Sequence, residues 1–162
     1  MDLISKKDGI DKKTIKEYFK AFHENLPANI EKAKQLLQKQ QLDFSIEEID
    51  MMGLFYRDNY RHPEKHALTY DQFLDVFIVY CCEAWIHHFG GEYFDTVSKK
   101  DTAYGYPQLI NWGPENYTWI GIAPHDWAEM IEEGDEEPLS LPWSRNIRYF
   151  SNSAEWNYKL KK

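Results

Sequence analysis

Residues 101–144 contain no lysine and no arginine. The same stretch holds nine of the 27 acidic residues of this 162-residue chain, which leaves 18 acids against 19 basic residues elsewhere. The net charge of −8 therefore originates in this one stretch. Phosphate backbones and anionic lipid surfaces repel an acidic protein, so we expect neither nucleic acid nor a membrane as a partner.

A long uninterrupted apolar run is also missing. The most apolar segment, residues 73–89, contains Asp75, Glu83 and a pair of histidines, and it is too short and too polar to span a bilayer. The chain begins Met-Asp-Leu-Ile-Ser-Lys-Lys, which lacks the apolar core of a signal peptide. We therefore expect a cytoplasmic protein.

Cysteine is scarce, since Cys81 and Cys82 are the only two. They are adjacent within a helical pattern, where neighbouring side chains point about 100° apart. An internal disulfide between them is not expected, because their Cβ vectors diverge. Two free thiols fit the reducing conditions of a cytoplasm.

The common catalytic signatures are absent as well. The chain has no Gly-x-Ser-x-Gly elbow, no Walker loop and no dinucleotide-binding fingerprint. In His62-Pro-Glu-Lys-His66 the glutamate is misplaced and a proline intervenes, so the segment does not match a helical zinc motif, and no Cys-x-x-Cys pair supplies further ligands. We predict a non-catalytic protein with no cofactor and no metal, and we interpret residues 62–66 as a polar loop.

Two alternatives to a binding function stay open at this point. Glu83 and His87 lie one helical turn apart within the apolar segment, and a buried carboxylate must accept hydrogen bonds or take up a proton. This pair favours a structural network, yet it also permits a small-ligand or metal-dependent enzyme with a pocket near Glu83 and His87. A structural homo-oligomeric subunit is the other alternative.

Hydrophobic periodicity predicts about four helices in the first half of the chain. Asp11 is the expected N-cap of the first helix, and Pro27 lies in the first turn of the second. Capping boxes at residues 45–48 and 69–72 are expected to begin the third and fourth helices.

The third and fourth helices differ in their apolar patterns. In the third, either Met52 or Leu54 belongs to the buried side. The fourth ends at Gly90-Gly91 and is apolar on nearly every side, so we expect it to be the central helix of the protein.

After residue 91 the pattern changes to strands and one short helix. The predicted elements are strands over 92–97, 108–112 and 117–122, a helix over 127–133, and a last strand over 145–150. Helices followed by strands indicate an α+β domain, with an N-terminal helical layer and then a small antiparallel sheet and a short helix in the C-terminal half. We predict a single domain over residues 1–162, frayed at 1–10 and 157–162.

Acids and large aromatic rings occur together in the stretch without lysine and arginine. This combination is typical of a surface that binds a basic protein, because the charge steers the encounter and the rings anchor it. The predicted partner-binding residues are Glu115, Tyr117, Trp119, Asp126, Trp127, Glu129, Glu132, Glu133, Asp135, Glu136 and Glu137. Trp119 or Trp127 is expected to fill a pocket of the partner.

Three short segments resemble parts of small bacterial α+β domains of the toxin-immunity type. They are Leu42-Asp-Phe-Ser45 at the beginning of a helix, Phe89-Gly-Gly-Glu-Tyr93 at the end of the apolar helix, and Ile122-Ala-Pro124 before the short helix. The resemblance covers roughly residues 42 to 140 and implies no catalytic residue. It implies that the basic partner is a cognate toxin, which this protein neutralises as an immunity-type inhibitor.

Overall fold

The computed structural model describes residues 10–113 and 121–151, with side chains as far as Asn146. The first half is helical, as predicted. Its elements are α1 (Lys12–Glu24), α2 (Leu26–Leu36), α3 (Ile46–Asn59) and α4 (Tyr70–Phe89). A turn of 3-10 helix, Pro63–His66, lies between α3 and α4, where a loop was expected.

Both predicted capping boxes begin a helix, but only one is complete. At α4 the Thr69 hydroxyl accepts from the Gln72 N–H at 3.1 Å, and the Gln72 side chain accepts from the Thr69 N–H at 2.9 Å. At α3 the Ser45 hydroxyl accepts from the Glu48 N–H at 3.1 Å, whereas the Glu48 carboxylate binds other donors. The helix still begins where the pattern predicted, and the Ser45 hydroxyl satisfies one of its free N-terminal donors.

Helix α4 is the centre of the hydrophobic core, as its pattern predicted, with twelve of its residues buried. Helices α2 and α3 pack against it. Cys81 and Cys82 are buried free thiols within it, and burial raises the pKa of both. Among the described helices, none combines the length and apolar composition that a membrane crossing requires.

The sheet has two described strands, β1 (Glu92–Asp95) and β2 (Pro107–Ile110), which pair antiparallel. Both are shorter than predicted. Ile122 extends the pairing through an antiparallel bridge to Leu109, with hydrogen bonds of 2.8 and 3.0 Å. The rest of the predicted third strand, residues 117–120, lies outside the described residues.

The C-terminal half ends in two helices, α5 (His125–Glu132) and α6 (Ser140–Ser151). The predicted last strand over 145–150 is therefore wrong, although the α+β class is confirmed. Pro142 is tolerated because it lies in the first turn of α6. Trp143 is fully buried, with ring centroids 5.2 Å from Trp85 and 4.9 Å from Trp127, so tertiary packing favours the helix over an extended segment.

One buried carboxylate joins the approach to α3 to the central helix. Glu48 is only 1% exposed and accepts from the Tyr80 hydroxyl at 2.9 Å and from the backbone N–H groups of Asp43 and Phe44 at 2.9 and 3.0 Å. The Lys39 ammonium also donates to it. A buried charge is stable only when it is satisfied in this way, so Glu48 fixes the loop before α3 against α4.

We expect Glu48→Ala to lower the free energy of unfolding by about 3 kcal/mol, because it leaves a buried hydroxyl and two backbone donors without an acceptor. Urea unfolding measures the change. Glu47→Ala is the matched control, since Glu47 is an exposed acid in the same turn and its loss should cost less than about 0.5 kcal/mol. Equal losses of unfolding free energy in the two variants would contradict the structural role assigned to Glu48.

Candidate partner-binding surface

Eight of the eleven predicted partner-binding residues lie on α5 and on the loop from α5 to α6. The other three, Glu115, Tyr117 and Trp119, lie outside the described residues. Seven of the eight are acids, and these acids occupy different environments in the structure.

Trp127 cannot serve as an exposed anchor, so this part of the prediction is wrong. It is 3% exposed and packs with Trp85 at 5.7 Å and Trp143 at 4.9 Å between ring centroids. Helix α5 is amphipathic, and Trp127 lies one turn before the buried Ile131. Both therefore face the core, whereas Asp126 on the same helix is exposed to solvent.

The Glu132 carboxylate is hydrogen-bonded within the protein. Its Oε2 atom accepts from the Tyr56 hydroxyl at 2.7 Å and from the Tyr70 hydroxyl at 2.6 Å. These two bonds join the end of α5 to α3 and to the beginning of α4. Glu132 was predicted to contact a partner, but this geometry gives it a structural role.

Glu137 is also paired internally. Its carboxylate accepts two hydrogen bonds from the Arg145 guanidinium, at 3.2 and 2.6 Å, and its backbone carbonyl accepts from Arg57 at 3.1 Å. The neighbouring Glu137 raises the pKa of Arg145 through these hydrogen bonds. Both cations come from outside residues 101–144, so the charge segregation in the sequence is partly lost in space.

The remaining acids form the solvent-facing set. Asp126, Glu133 and Glu136 are exposed, while Glu129 and Asp135 are half-buried. Asp135 and Glu136 line a groove of about 390 Å³ between this loop and the end of α3. The opposite side of the groove carries Asp58, but also Arg57, Arg61 and His62, so its charge is mixed. We use the name acidic face for Asp126, Glu133 and Glu136.

Three side chains at the beginning of α5 could hold a metal ion. One ligand atom each from His125, Asp126 and Glu129 lies within 4.8 Å of the others, and the His125 Nε2 atom lies 3.2 Å from the Asp126 Oδ1 atom. The buried His125 ring stacks on Tyr106 with centroids 4.1 Å apart. The position is electrostatically poor for a cation, because the N-terminal end of a helix carries partial positive charge. The spacing His-Asp-x-x-Glu was a signal for this set that sequence reasoning missed.

The side chains of the alternative enzyme pocket each have a partner within the protein. Glu83 accepts from the Tyr93 hydroxyl at 2.8 Å. The exposed His87 packs on Phe44, with ring centroids 5.4 Å apart, and the His88 Nε2 atom lies 2.6 Å from the Phe44 carbonyl oxygen. This is the structural network that the sequence favoured for Glu83.

Three large apolar side chains are exposed, and their exposure was not predicted from the sequence. Leu54 is 52% exposed, Met51 is 46% exposed and Leu141 is 43% exposed. The choice between Met52 and Leu54 was open, and the structure buries Met52. The helical pattern indicates that the two residues cannot both face one core, but it does not choose between them.

Comparison of the chain with protein-family models, with curated proteins and with solved structures gives no significant match in any of the three. The resemblance to toxin-immunity domains therefore stays a prediction.

We expect Glu132→Ala to lower the free energy of unfolding by about 2 kcal/mol, because the fully buried Tyr56 hydroxyl loses its acceptor. Glu133→Ala, at the next residue, should change it by less than about 0.5 kcal/mol. Urea unfolding of the two variants distinguishes the structural acid from the surface acid. A wild-type stability for Glu132→Ala would contradict the role assigned to it.

Alkaline pH should destabilise the protein through its buried tyrosines. Burial is the main cause that raises the pKa of Tyr56 and of Tyr80, and the neighbouring carboxylates raise both further. Because the folded-state pKa exceeds the unfolded value of about 10, stability is fully present below that pH and falls above it, by about 1.4 kcal/mol per pH unit for each tyrosine. Urea midpoints between about pH 8 and about pH 11 measure this. A urea midpoint that stays constant over this pH range would refute the prediction.

Proposed function

We propose that this chain is a non-catalytic protein-binding domain, an immunity-type inhibitor that neutralises a basic bacterial toxin. The observation that carries the proposal is the acidic face. Glu133 and Glu136 are exposed, and neither lies within 4 Å of a cationic group among the described residues. Acids that the fold leaves accessible and uncompensated are available to a basic partner.

The position of these acids is unfavourable for the free protein. The last turn of α5 has no basic residue, and Glu132 and Glu133 lie at the end of the helix. Negative charge there opposes the helix dipole and costs roughly 0.3–1 kcal/mol per group. Glu129 and Glu133 are also four residues apart, where like charges repel. Glu132 offsets this cost through its two tyrosine bonds, whereas Glu133 makes no described contact that would offset it, which supports a binding role.

Charge complementarity explains how such a surface would neutralise a toxin. A toxin that acts on an anionic substrate presents lysine and arginine at its own active site. Asp126, Glu133 and Glu136 would pair with these cations and exclude the substrate, and long-range attraction would accelerate the encounter. This mechanism requires no catalytic group on the inhibitor.

Co-expression with the products of the two flanking genes tests the proposal, because immunity proteins are encoded beside their toxins. We expect one product to be basic and toxic in a bacterial host and the wild-type chain to restore growth. Glu133→Lys with Glu136→Lys should slow association about tenfold at low salt and weaken the rescue. Stopped-flow mixing at several salt concentrations measures the rate.

Glu17→Lys with Glu24→Lys is the matched control. Both residues are exposed acids on α1, so the change in net charge is the same while the acidic face stays intact. Equal slowing by the two double variants would show that only net charge matters and would refute the acidic face. Flanking products that are harmless, or toxicity that the wild-type chain does not relieve, would refute the inhibitor proposal.

A further inference from the structure

The loop after the acidic face runs antiparallel to α3 and packs along it. Three contacts join them in register, from Arg57 to Glu137, from Gly53 to Leu139 and from Asp50 to Ser140. Asp50 accepts from both the N–H and the hydroxyl of Ser140, at 2.8 and 3.1 Å. At Gly53 the approach is so close that an added Cβ would lie 2.7 Å from the Leu139 Cβ atom. This contact line fixes where the neighbouring side chains of both segments point.

Large apolar side chains project to solvent on both sides of this contact line. Leu54 follows Gly53 and is 52% exposed, and Leu141 follows Ser140 and is 43% exposed. Met51 lies three residues before Leu54, on the same outer side of α3, and is 46% exposed. Among the described residues only one other large apolar side chain is as exposed, Phe94 on β1. We call Met51, Leu54 and Leu141 the apolar patch.

Acids border the apolar patch. Glu47 and Asp58 are exposed and share the outer stripe of α3 with Met51 and Leu54, at spacings of four, three and four residues. Glu136 lies at the same end of the contact line as Asp58, since both line one groove. An apolar centre with a charged rim is the usual anatomy of a protein interface, and here the three exposed acids of the rim outnumber Arg61, the exposed arginine of the same groove.

Three arginines lie near this contact line, and one of them, the exposed Arg61, donates to the Tyr60 hydroxyl at 3.0 Å. The Arg57 and Arg145 guanidinium groups both donate to Glu137, to its backbone carbonyl and to its carboxylate respectively. They therefore do not neutralise the outer stripe of α3. The stripe from Glu47 to Asp58 is about 16 Å long at 1.5 Å per residue, which equals about three turns of a facing helix.

We propose that the apolar patch is the anchor of the partner-binding surface and that its occupant is an amphipathic basic helix of the partner. The apolar side chains of that helix would contact Met51, Leu54 and Leu141, and its lysines or arginines would pair with Glu47, Asp58 and Glu136. This inference depends on the proposed function and supplies the anchor that Trp127 cannot provide.

Fluorescence anisotropy with labelled synthetic peptides of about 14 residues, four helical turns, tests the proposal. The probe is an amphipathic helix of lysine and leucine. The comparison peptides replace leucine by serine or lysine by glutamate. Wild-type protein should bind the lysine–leucine peptide at least tenfold tighter than either. Met51→Ser with Leu54→Ser and Leu141→Ser should weaken that binding at least tenfold, without changing the melting temperature by more than a few degrees.

Phe94→Ser is the matched control, because it removes an equally exposed apolar side chain from β1. It should leave the affinity unchanged. Equal loss of peptide affinity in the control and in the triple variant would overturn the proposal that the apolar patch is the anchor. Unchanged affinity in the triple variant would overturn it as well. If Glu133→Lys with Glu136→Lys abolishes binding while the triple variant retains it, the acidic face stands and only the anchor is wrong.

Two further outcomes would also overturn the anchor. One is wild-type binding of the three peptides with equal affinity. The other is a wild-type dimer in sedimentation experiments that the triple variant dissociates, since the occupant would then be a second copy of this chain. Neither outcome decides the inhibitor function, which the co-expression experiment tests separately.

Discussion

Burial of the apolar middle of α4 is the constraint on which the rest of the structure depends. A helix with almost no polar side must be covered in every direction, and its twelve buried residues require contacts from both halves of the chain. Helices α2 and α3 supply part of the cover. The remainder comes from three tryptophans of the C-terminal half, Trp112, Trp127 and Trp143, which all pack on Trp85. Residues 101–144, which carry the excess of acids, therefore also contribute to the core.

The same packing separates the acids of this stretch into two groups. With Trp127 inside, the rotation of α5 is fixed, and Glu132 falls between Tyr56 and Tyr70 while Glu133 faces solvent. The Glu137 carboxylate is hydrogen-bonded to the Arg145 guanidinium. A variant that reversed every acid would mix loss of stability with loss of binding, because two of the acids support the fold. The acidic face is smaller than the sequence suggested.

Tertiary contacts also place apolar and acidic groups together from distant parts of the sequence. The loop before α6 packs against the Gly53 side of α3. This packing brings Leu141, in the first turn of α6, to the surface that carries Leu54, and it places Asp58 near Glu136. A surface with an apolar centre and an acidic rim thus results from two segments about 85 residues apart in the chain. Helix α3 contributes Met51 and Leu54 with two of the acids, and the C-terminal segment adds Leu141 and Glu136.

Local signals in the sequence determined the four helix starts, the central position of α4 and the α+β class, because caps, periodicity and glycine stops act over a few residues. They also located the acids. Only the tertiary structure decided that residues 145–150 are helical, that Trp127 is buried, and that Leu54 rather than Met52 is exposed. Each of these depends on which surface a side chain meets, and that surface comes from elsewhere in the chain. Periodicity indicates that a helix has an inner side, but packing determines which partner covers it.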